Sequence, residues 1–195
     1  MILIIIIILI IFFIYFNSIY NYFYNYFREN GIGIKIYNKL INYKIISNYN
    51  QIIPNLWLGD YKSALDNEFL IKNNIKLIIN CSKTLEFTNL NNIKKVRVNI
   101  NDDRTDISDK KMIEYFPKVY NIINKNLILN NSILIHCKAG MQRSATIVAL
   151  YLMKKYNILF KQAKQIIRDK RYIVFRPFTN FIKPIKYFEN LYNKY

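Results

Sequence analysis

Residues 132–156, SILIHCKAGMQRSATIVALYLMKKY, decide how the rest of this chain is interpreted. The segment SILIH is short, apolar and typical of a strand buried in a sheet, and residues 144–156 form a strongly apolar helical pattern. Between them, HCKAGMQRS contains the only His of the chain, one of its two Cys and one of its four Gly. The sequence therefore predicts a buried strand, a loop rich in functional side chains and a helix in direct succession.

A loop of this kind is suited to binding an anion. Between a strand and a helix, successive backbone N–H groups can point inward and form a concave site for phosphate. Gly140 allows a backbone conformation that a Cβ atom would forbid, and Arg143 supplies a planar guanidinium that matches two phosphate oxygens. Cys137 would lie beneath this site, where the N–H groups, the helix N-terminus and Arg143 all favour its thiolate. Such a thiolate is placed for in-line attack on a bound phosphoryl group.

The His-Cys-five-residues-Arg-Ser pattern of HCKAGMQRS resembles the signature of cysteine-dependent phosphatases, and in particular of their dual-specificity branch. Three other segments also resemble that branch: IIPNLWLGDYKSALD resembles its opening strand and turn, NNIKLIINCS the strand that follows, and KRYIVFRPFTNF its closing segment. The resemblance extends over about residues 52–188. It implies an α/β, cysteine-phosphatase-like fold.

The resemblance also implies a reaction. Phosphotyrosine and phosphoserine/threonine in proteins would be hydrolysed in two steps, with Cys137 forming a phosphocysteine and Ser144 helping the sulfur to leave. The phosphate would be held by the Arg143 side chain and by loop amides, namely those of Lys138, Ala139, Gly140, Met141, Gln142 and Arg143. Neither a metal nor another cofactor is implied.

The family also uses an Asp as general acid, on a loop that follows a strand. The segment VRVNINDDRTD offers Asp102, Asp103 and Asp106. We favour Asp102, because residues 98–102 resemble the family's alternating strand, which runs directly into the acid. Counting back from the aromatic pair Tyr115-Phe116 favours Asp106 instead. The acid would protonate the leaving oxygen and then activate water as a base.

Strand-like and helix-like segments alternate along the body of the chain, which indicates an α/β fold with a central, mostly parallel sheet flanked by helices. Strands are predicted over residues 75–80, 96–100 and 132–136, with a short apolar stretch at 52–58. Helices are predicted over residues 62–73, 109–125, 144–156, 160–171 and 180–193, with Pro117 as a possible break in the second.

The first 16 residues, MILIIIIILIIFFIYF, carry no charge and are followed by a cluster of Tyr and Phe that ends at Phe27. As a helix they would extend about 24 Å, somewhat less than the roughly 30 Å hydrocarbon core. The run lacks the basic start and small-residue cleavage site of a signal peptide. We therefore predict a transmembrane anchor over residues 1–27, a basic connector over 28–50 and the catalytic domain over 51–195. Basic residues follow the span and none precedes it, so the chain is expected to be a single-pass membrane protein whose catalytic domain faces the cytosol.

The chain carries 29 Lys and Arg against 12 Asp and Glu, a net charge of +17. Such a surface attracts phosphate-bearing partners, although Ile, Asn, Lys and Tyr are abundant throughout, as in the proteins of an A/T-rich genome. Phosphoprotein substrates are expected, anionic lipid is a possible partner, and nucleic acid is not expected.

Two other functions remain open. The loop also resembles that of a lipid-phosphate phosphatase of the same superfamily, which would suit a membrane anchor. A non-catalytic phosphate-binding module is the third interpretation, although such modules usually lack the Cys or the Arg. His136 is expected to be structural, hydrogen-bonding the backbone and orienting the Cys137 loop. Cys81 is expected to be an inert buried thiol, with a protective disulfide to Cys137 as the alternative.

Overall fold

The computed structural model of this chain describes residues 46–192. The predicted anchor, most of the predicted connector and the last three residues lie outside the described part of the chain. Among residues 46–192, no helix combines the length and the apolar character needed to cross a membrane.

The described residues contain a five-stranded sheet with the spatial order β1-β2-β5-β3-β4. The strands are β1 (Tyr49–Ile53), β2 (Leu56–Gly59), β3 (Ile75–Asn80), β4 (Lys94–Arg97) and β5 (Ser132–His136). The β1–β2 pair is antiparallel, and the other three pairs are parallel. The prediction of a mostly parallel sheet is therefore confirmed.

Helices cover both faces of the sheet. They are α1 (Asn67–Lys72), α2 (Asp106–Ile128), α3 (Arg143–Tyr156), α4 (Phe160–Lys170) and α5 (Ile182–Tyr192). Alternate residues of the central strands enter two separate cores: Ile133 and Ile135 of β5 pack in a large core with α2 to α5, whereas Leu134 packs with Phe69 of α1. Helix α3 is buried at every position from Arg143 to Met153, which accounts for its nearly continuous apolar sequence.

Strand β5 lies in the middle of the sheet and is buried along its whole length. Its last residue, His136, is in register with Gly59 of β2 on one side and with Asn80 of β3 on the other. The chain therefore leaves β5 at the carboxyl edge of the parallel strands, which is where open α/β sheets bind their ligands.

The strand and helix limits differ from the prediction at several places. Strand β4 spans Lys94–Arg97 rather than residues 96–100, so the segment that leads into Asp102 is not part of the strand. The apolar stretch 52–58 spans two antiparallel strands, because Asn55 adopts a positive φ of 62° between them, and β1 begins at Tyr49, within the segment predicted as connector. Helix α1 begins only at Asn67, after its N-cap Asp66, because Asp60 holds the preceding residues in a turn by accepting a 2.9 Å hydrogen bond from Ser63 N.

Pro117 does not break its helix. Helix α2 continues through it from Asp106 to Ile128. A proline removes one backbone hydrogen bond, but Phe116, Val119 and Ile123 are all buried in the large core and hold the helix in place on both sides of the proline.

Candidate active site

The loop between β5 and α3, here called the phosphate loop (residues 137–143), has its carbonyl groups fixed from outside. Five successive carbonyl oxygens each accept a hydrogen bond from another part of the chain. The pairs are Tyr61 N to Lys138 O at 3.3 Å, Arg171 Nη2 to Ala139 O at 3.0 Å, Arg171 Nε to Gly140 O at 3.0 Å, Phe175 N to Met141 O at 2.9 Å and Thr146 N to Gln142 O at 2.7 Å.

These outward carbonyls determine where the amides point. In a planar trans peptide the C=O and the following N–H point in opposite directions. The N–H groups from Ala139 to Arg143 therefore point away from the donors that surround the loop. Within the described residues, the amides of Ala139 to Gln142 donate no hydrogen bond to the protein. The result is a concave set of N–H donors, as in other anion-binding backbone nests.

Gly140 is required by this geometry. Its φ is +63°, in the left-handed region that favours glycine. A Cβ atom at this position would lie 2.5 Å from the backbone oxygen of Gly59, a contact that no side-chain movement could relieve. The sequence predicts that a glycine at this position permits the loop conformation. Its packing against β2 is a second reason why no residue with a side chain fits here.

Cys137 lies at the start of the loop and is 1% exposed. The Ser144 hydroxyl donates a hydrogen bond to its Sγ at 3.2 Å. Burial works against ionisation of this thiol, but the Arg143 cation and hydrogen bonding from Ser144 lower its pKa below the ordinary value of 9.0, even with the Asp102 carboxylate nearby. The site therefore favours a thiolate at its base.

Arg143, the first residue of α3, is buried against the loop. Its Nε lies 3.4 Å from Asp102 Oδ2. The structure thus brings together the nucleophile candidate, the guanidinium and one of the three candidate acids.

The other two candidate acids are engaged elsewhere. Asp103 Oδ1 accepts hydrogen bonds from Thr105 N at 3.2 Å and Thr105 Oγ1 at 2.8 Å, next to the N-cap of α2. Partial burial opposes the effect, but hydrogen bonds from Ser108 and Thr105 lower the pKa of Asp103. Asp106 forms an ion pair with Lys183, and that hydrogen bond lowers its pKa as well. Of the three aspartates, only Asp102 lies within ion-pair distance of Arg143 in the described part of the chain.

Two side chains that sequence reasoning missed hold the site together. Arg171 is 1% exposed, and besides the two loop carbonyls it binds Ser47 O at 2.7 Å and Asn50 Oδ1 at 2.9 Å through Nη1. Asn180 donates from Nδ2 to Asp102 Oδ1 at 2.7 Å. Both residues lie in the quoted segment KRYIVFRPFTNF. The Arg-containing helix end is part of the resemblance, but the sequence predicts no role for it at the site, and an Asn in an Asn-rich chain carries no signal of its own.

His136 and Cys81 lie beneath the loop. His136 is fully buried, and this burial lowers its pKa to about 4, so the imidazole is neutral at physiological pH. Neither of its ring nitrogens makes a hydrogen bond of ordinary geometry within residues 46–192. Cys81 donates its backbone N–H to His136 O at 2.8 Å, and burial, reinforced by the negative charge of Cys137, raises the pKa of its thiol well above 9.0. Both cysteines are free thiols.

Comparison with known proteins agrees with this geometry. Residues 56–191 match the family model described as dual specificity phosphatase, catalytic domain. The protein named "Putative tyrosine-protein phosphatase AMV078" of Amsacta moorei entomopoxvirus is 37% identical over 152 residues, covering 76% of this chain and 88% of the viral protein. Human dual specificity protein phosphatase 16 is 31% identical over 135 residues, which cover 68% of this chain and 19% of the human protein.

The fold of this chain is also similar to that of solved dual-specificity phosphatase structures. The crystal structure of human DUSP28 superposes with a TM-score of 0.67 at 20% sequence identity, over 74% of this chain and 95% of that chain. The resemblance read from HCKAGMQRS is therefore confirmed: this chain belongs to the dual-specificity phosphatase family and is an enzyme of the protein tyrosine phosphatase superfamily.

Proposed function

We propose that this enzyme hydrolyses phosphotyrosine and phosphoserine/threonine in proteins through a phosphocysteine on Cys137. The observation that carries the proposal is the set of inward amides above a buried sulfur whose pKa is lowered, with Arg143 beside them. Amides and guanidinium together match the equatorial oxygens of a phosphoryl group. Such donors stabilise the charge that these oxygens carry in the transition state.

In the first step, the Cys137 thiolate attacks phosphorus and the P–O bond to the substrate breaks. The leaving oxygen takes its proton from Asp102, the carboxyl group nearest to Arg143. In the second step Asp102, now ionised, takes a proton from water as the water oxygen attacks phosphorus. The S–P bond then breaks, and the hydrogen bond from Ser144 stabilises the departing thiolate.

The substrate range is inferred from the family and from the extent of the match. The matched residues, 56–191, leave few of the described residues outside the family domain. Few described residues outside the matched segment could therefore deepen the site for phosphotyrosine alone. This supports action on both tyrosine and serine/threonine phosphates.

The test uses the full-length chain in detergent with a chelator present. Three substrates are compared: a phosphotyrosine peptide, a phosphothreonine peptide and a phosphatidylinositol phosphate. Cys137→Ser serves as the inactive control. Turnover of both peptides, abolished in the control, would support the proposal. Turnover of the lipid alone would favour a lipid phosphatase, and phosphopeptide binding without any turnover would favour a binding module.

We further propose that residues 1–27 anchor the enzyme in a membrane with the catalytic domain on the cytosolic side. The support is the uncharged apolar run and the basic residues that follow it. Two lysines within the run, Ile6→Lys and Ile10→Lys, would each oppose insertion by about 2.5–3.5 kcal/mol at the centre of a span. The wild-type chain should float with liposomes and expose a C-terminal tag to protease on the cytosolic side. The double variant should lose flotation, and equal flotation of both chains would refute the anchor.

A further inference from the structure

A chain of hydrogen bonds connects the phosphate loop to Asp102 through the segment between α4 and α5. Gln142, in the loop, is 8% exposed and donates from Nε2 to Phe178 O at 2.6 Å. Its Oε1 accepts the backbone N–H of Asn180 at 3.1 Å. The side chain of Asn180 then donates to Asp102 Oδ1 at 2.7 Å.

Asp102 is not held in place by residues close to it in the sequence. It lies on the exposed connection between β4 and α2. Its carboxylate has two partners among residues 46–192, Asn180 on Oδ1 and Arg143 on the side of Oδ2. The orientation of the carboxylate therefore depends on a residue 78 positions away in the chain.

The hydrogen bond from Asn180 also makes the two oxygens of Asp102 inequivalent. In a neutral carboxyl group, one oxygen is a carbonyl acceptor and the other a hydroxyl donor. Asn180 donates to Oδ1, which favours that oxygen as the carbonyl acceptor and leaves Oδ2 to carry the proton of the neutral acid. In the charged pair, Oδ2 lies 3.4 Å from Arg143 Nε. A phosphate bound by the guanidinium would accept that N–H instead and leave Oδ2 facing the bound group.

We propose that Asn180 is a positioning residue for the general acid, holding Asp102 through Oδ1 so that the proton of Oδ2 faces the leaving group. This inference rests on the proposed function, and specifically on Asp102 as the acid. Gln142 sets the place of Asn180 and so fixes the acid relative to the phosphate loop. The acid and the loop are thereby aligned by the protein before substrate binds.

The test is Asn180→Ala in the full-length chain. Alanine keeps the backbone N–H that Gln142 accepts and removes the bond to Asp102. Two substrates separate acid catalysis from binding: phenyl phosphate, whose leaving group needs a proton, and 4-nitrophenyl phosphate, whose leaving group is far more acidic. We expect kcat/KM for phenyl phosphate to fall about 3-fold to 10-fold, the range for a hydrogen bond between neutral groups. The nitrophenyl ester should be much less affected, and vanadate should bind as in the wild type because the loop is intact.

Thr179→Ala is the matched control, since Thr179 makes no hydrogen bond to Asp102 or Gln142 in the described chain. Asp102→Asn provides the reference, with an expected loss of about 10²-fold to 10⁴-fold on phenyl phosphate. Because both substitutions act on the same proton transfer, the double variant should be no worse than Asp102→Asn alone.

The outcomes separate the possible failures. Equal loss on both esters in Asn180→Ala, or a loss that adds in full to that of Asp102→Asn, would give Asn180 a merely structural role and overturn the inference. Asp102→Asn could instead lower turnover of phenyl phosphate and 4-nitrophenyl phosphate equally while Cys137→Ser is inactive. Asp102 would then not be the general acid, and the inference about Asn180 would be wrong as well. If Cys137→Ser retains full turnover, the proposed phosphocysteine chemistry is itself wrong.

Discussion

The phosphate loop and the acid segment (residues 101–106) do complementary chemistry but are built in different ways. Donors outside the loop fix its carbonyls, and its Cys137, Gly140, Gln142 and Arg143 are buried. The acid segment is mostly exposed, and side chains from residues 180 and 183 bind two of its three carboxylates. The proposed nucleophile is thus part of the folded core, whereas the proposed acid is held at the surface by a few side-chain contacts.

This difference predicts two classes of mutational effect. Changes in the loop should impair every substrate, because all of them share the same phosphoryl group. Changes around the acid should discriminate between leaving groups, because the proton goes to the part of the substrate that varies. The following variants test this division.

Arg143→Lys should have the largest effect of these variants. A lysine ammonium cannot reproduce the planar fork that spans two phosphate oxygens. Loss of one such donor costs about 10²-fold to 10³-fold in rate, and we expect that loss in kcat/KM for phosphotyrosine and phosphothreonine peptides alike. Lys110→Met, on the exposed surface of α2, is the control. A loss confined to one peptide would contradict the division between loop and acid.

Arg171→Lys tests whether the outward carbonyls matter. One ammonium cannot reach Ala139 O, Gly140 O and Ser47 O at the geometry of the guanidinium. Buried acceptors left unpaired cost about 1–3 kcal/mol, so the unfolding free energy should fall by about 2 kcal/mol in denaturant titration. KM should rise about 10-fold as the amides lose their alignment. Lys170→Met changes the exposed neighbour and should do neither, and an unchanged KM in Arg171→Lys would show that the loop holds its shape without this arginine.

Ser144→Ala should change the ionisation of Cys137. The hydroxyl donates to the sulfur and favours its charged form. Removing this donor favours the thiol, so the pKa of Cys137 should rise. The pH midpoint of iodoacetamide alkylation should move upward with it. A midpoint that stays in place would mean that Arg143 alone sets the thiolate.

Cys81→Ala should have the smallest effect. Its raised pKa keeps Cys81 a neutral thiol at physiological pH, so it adds no charge to the site. Activity should be unchanged, and the unfolding free energy should fall by about 1 kcal/mol for the small cavity. Faster irreversible inactivation of this variant by peroxide would instead favour the protective disulfide.

Sequence reasoning succeeded where function depends on neighbouring residues. Strands Ile75–Asn80 and Ser132–His136 have the limits predicted for them, because continuous apolar runs bounded by polar residues leave little choice of register. Cys137, Gly140 and Arg143 lie together within one short segment, so their spacing alone predicts their geometry.

It was weaker where partners are far apart in the chain. Three aspartates within five residues could not be separated by spacing, and their surroundings differ only because Asn180, Thr105 and Lys183 bind one each. Arg171 had no recognisable signal either, since a buried arginine differs from an exposed one only in its partners. The helix limits near Pro117 likewise depend on packing that local propensity does not describe.

The contacts of Arg171 also decide where this domain can be cut. A recombinant fragment designed on the apolar pattern would begin at Gln51 and would delete Ser47 and Asn50, which accept hydrogen bonds from Nη1. That truncation would remove these two acceptors from a side chain that is 1% exposed. The same guanidinium binds the loop carbonyls that orient the proposed phosphate-binding amides. A fragment for crystallisation or inhibitor screening should therefore start upstream of Ser47, or its weak activity would be mistaken for a property of the enzyme.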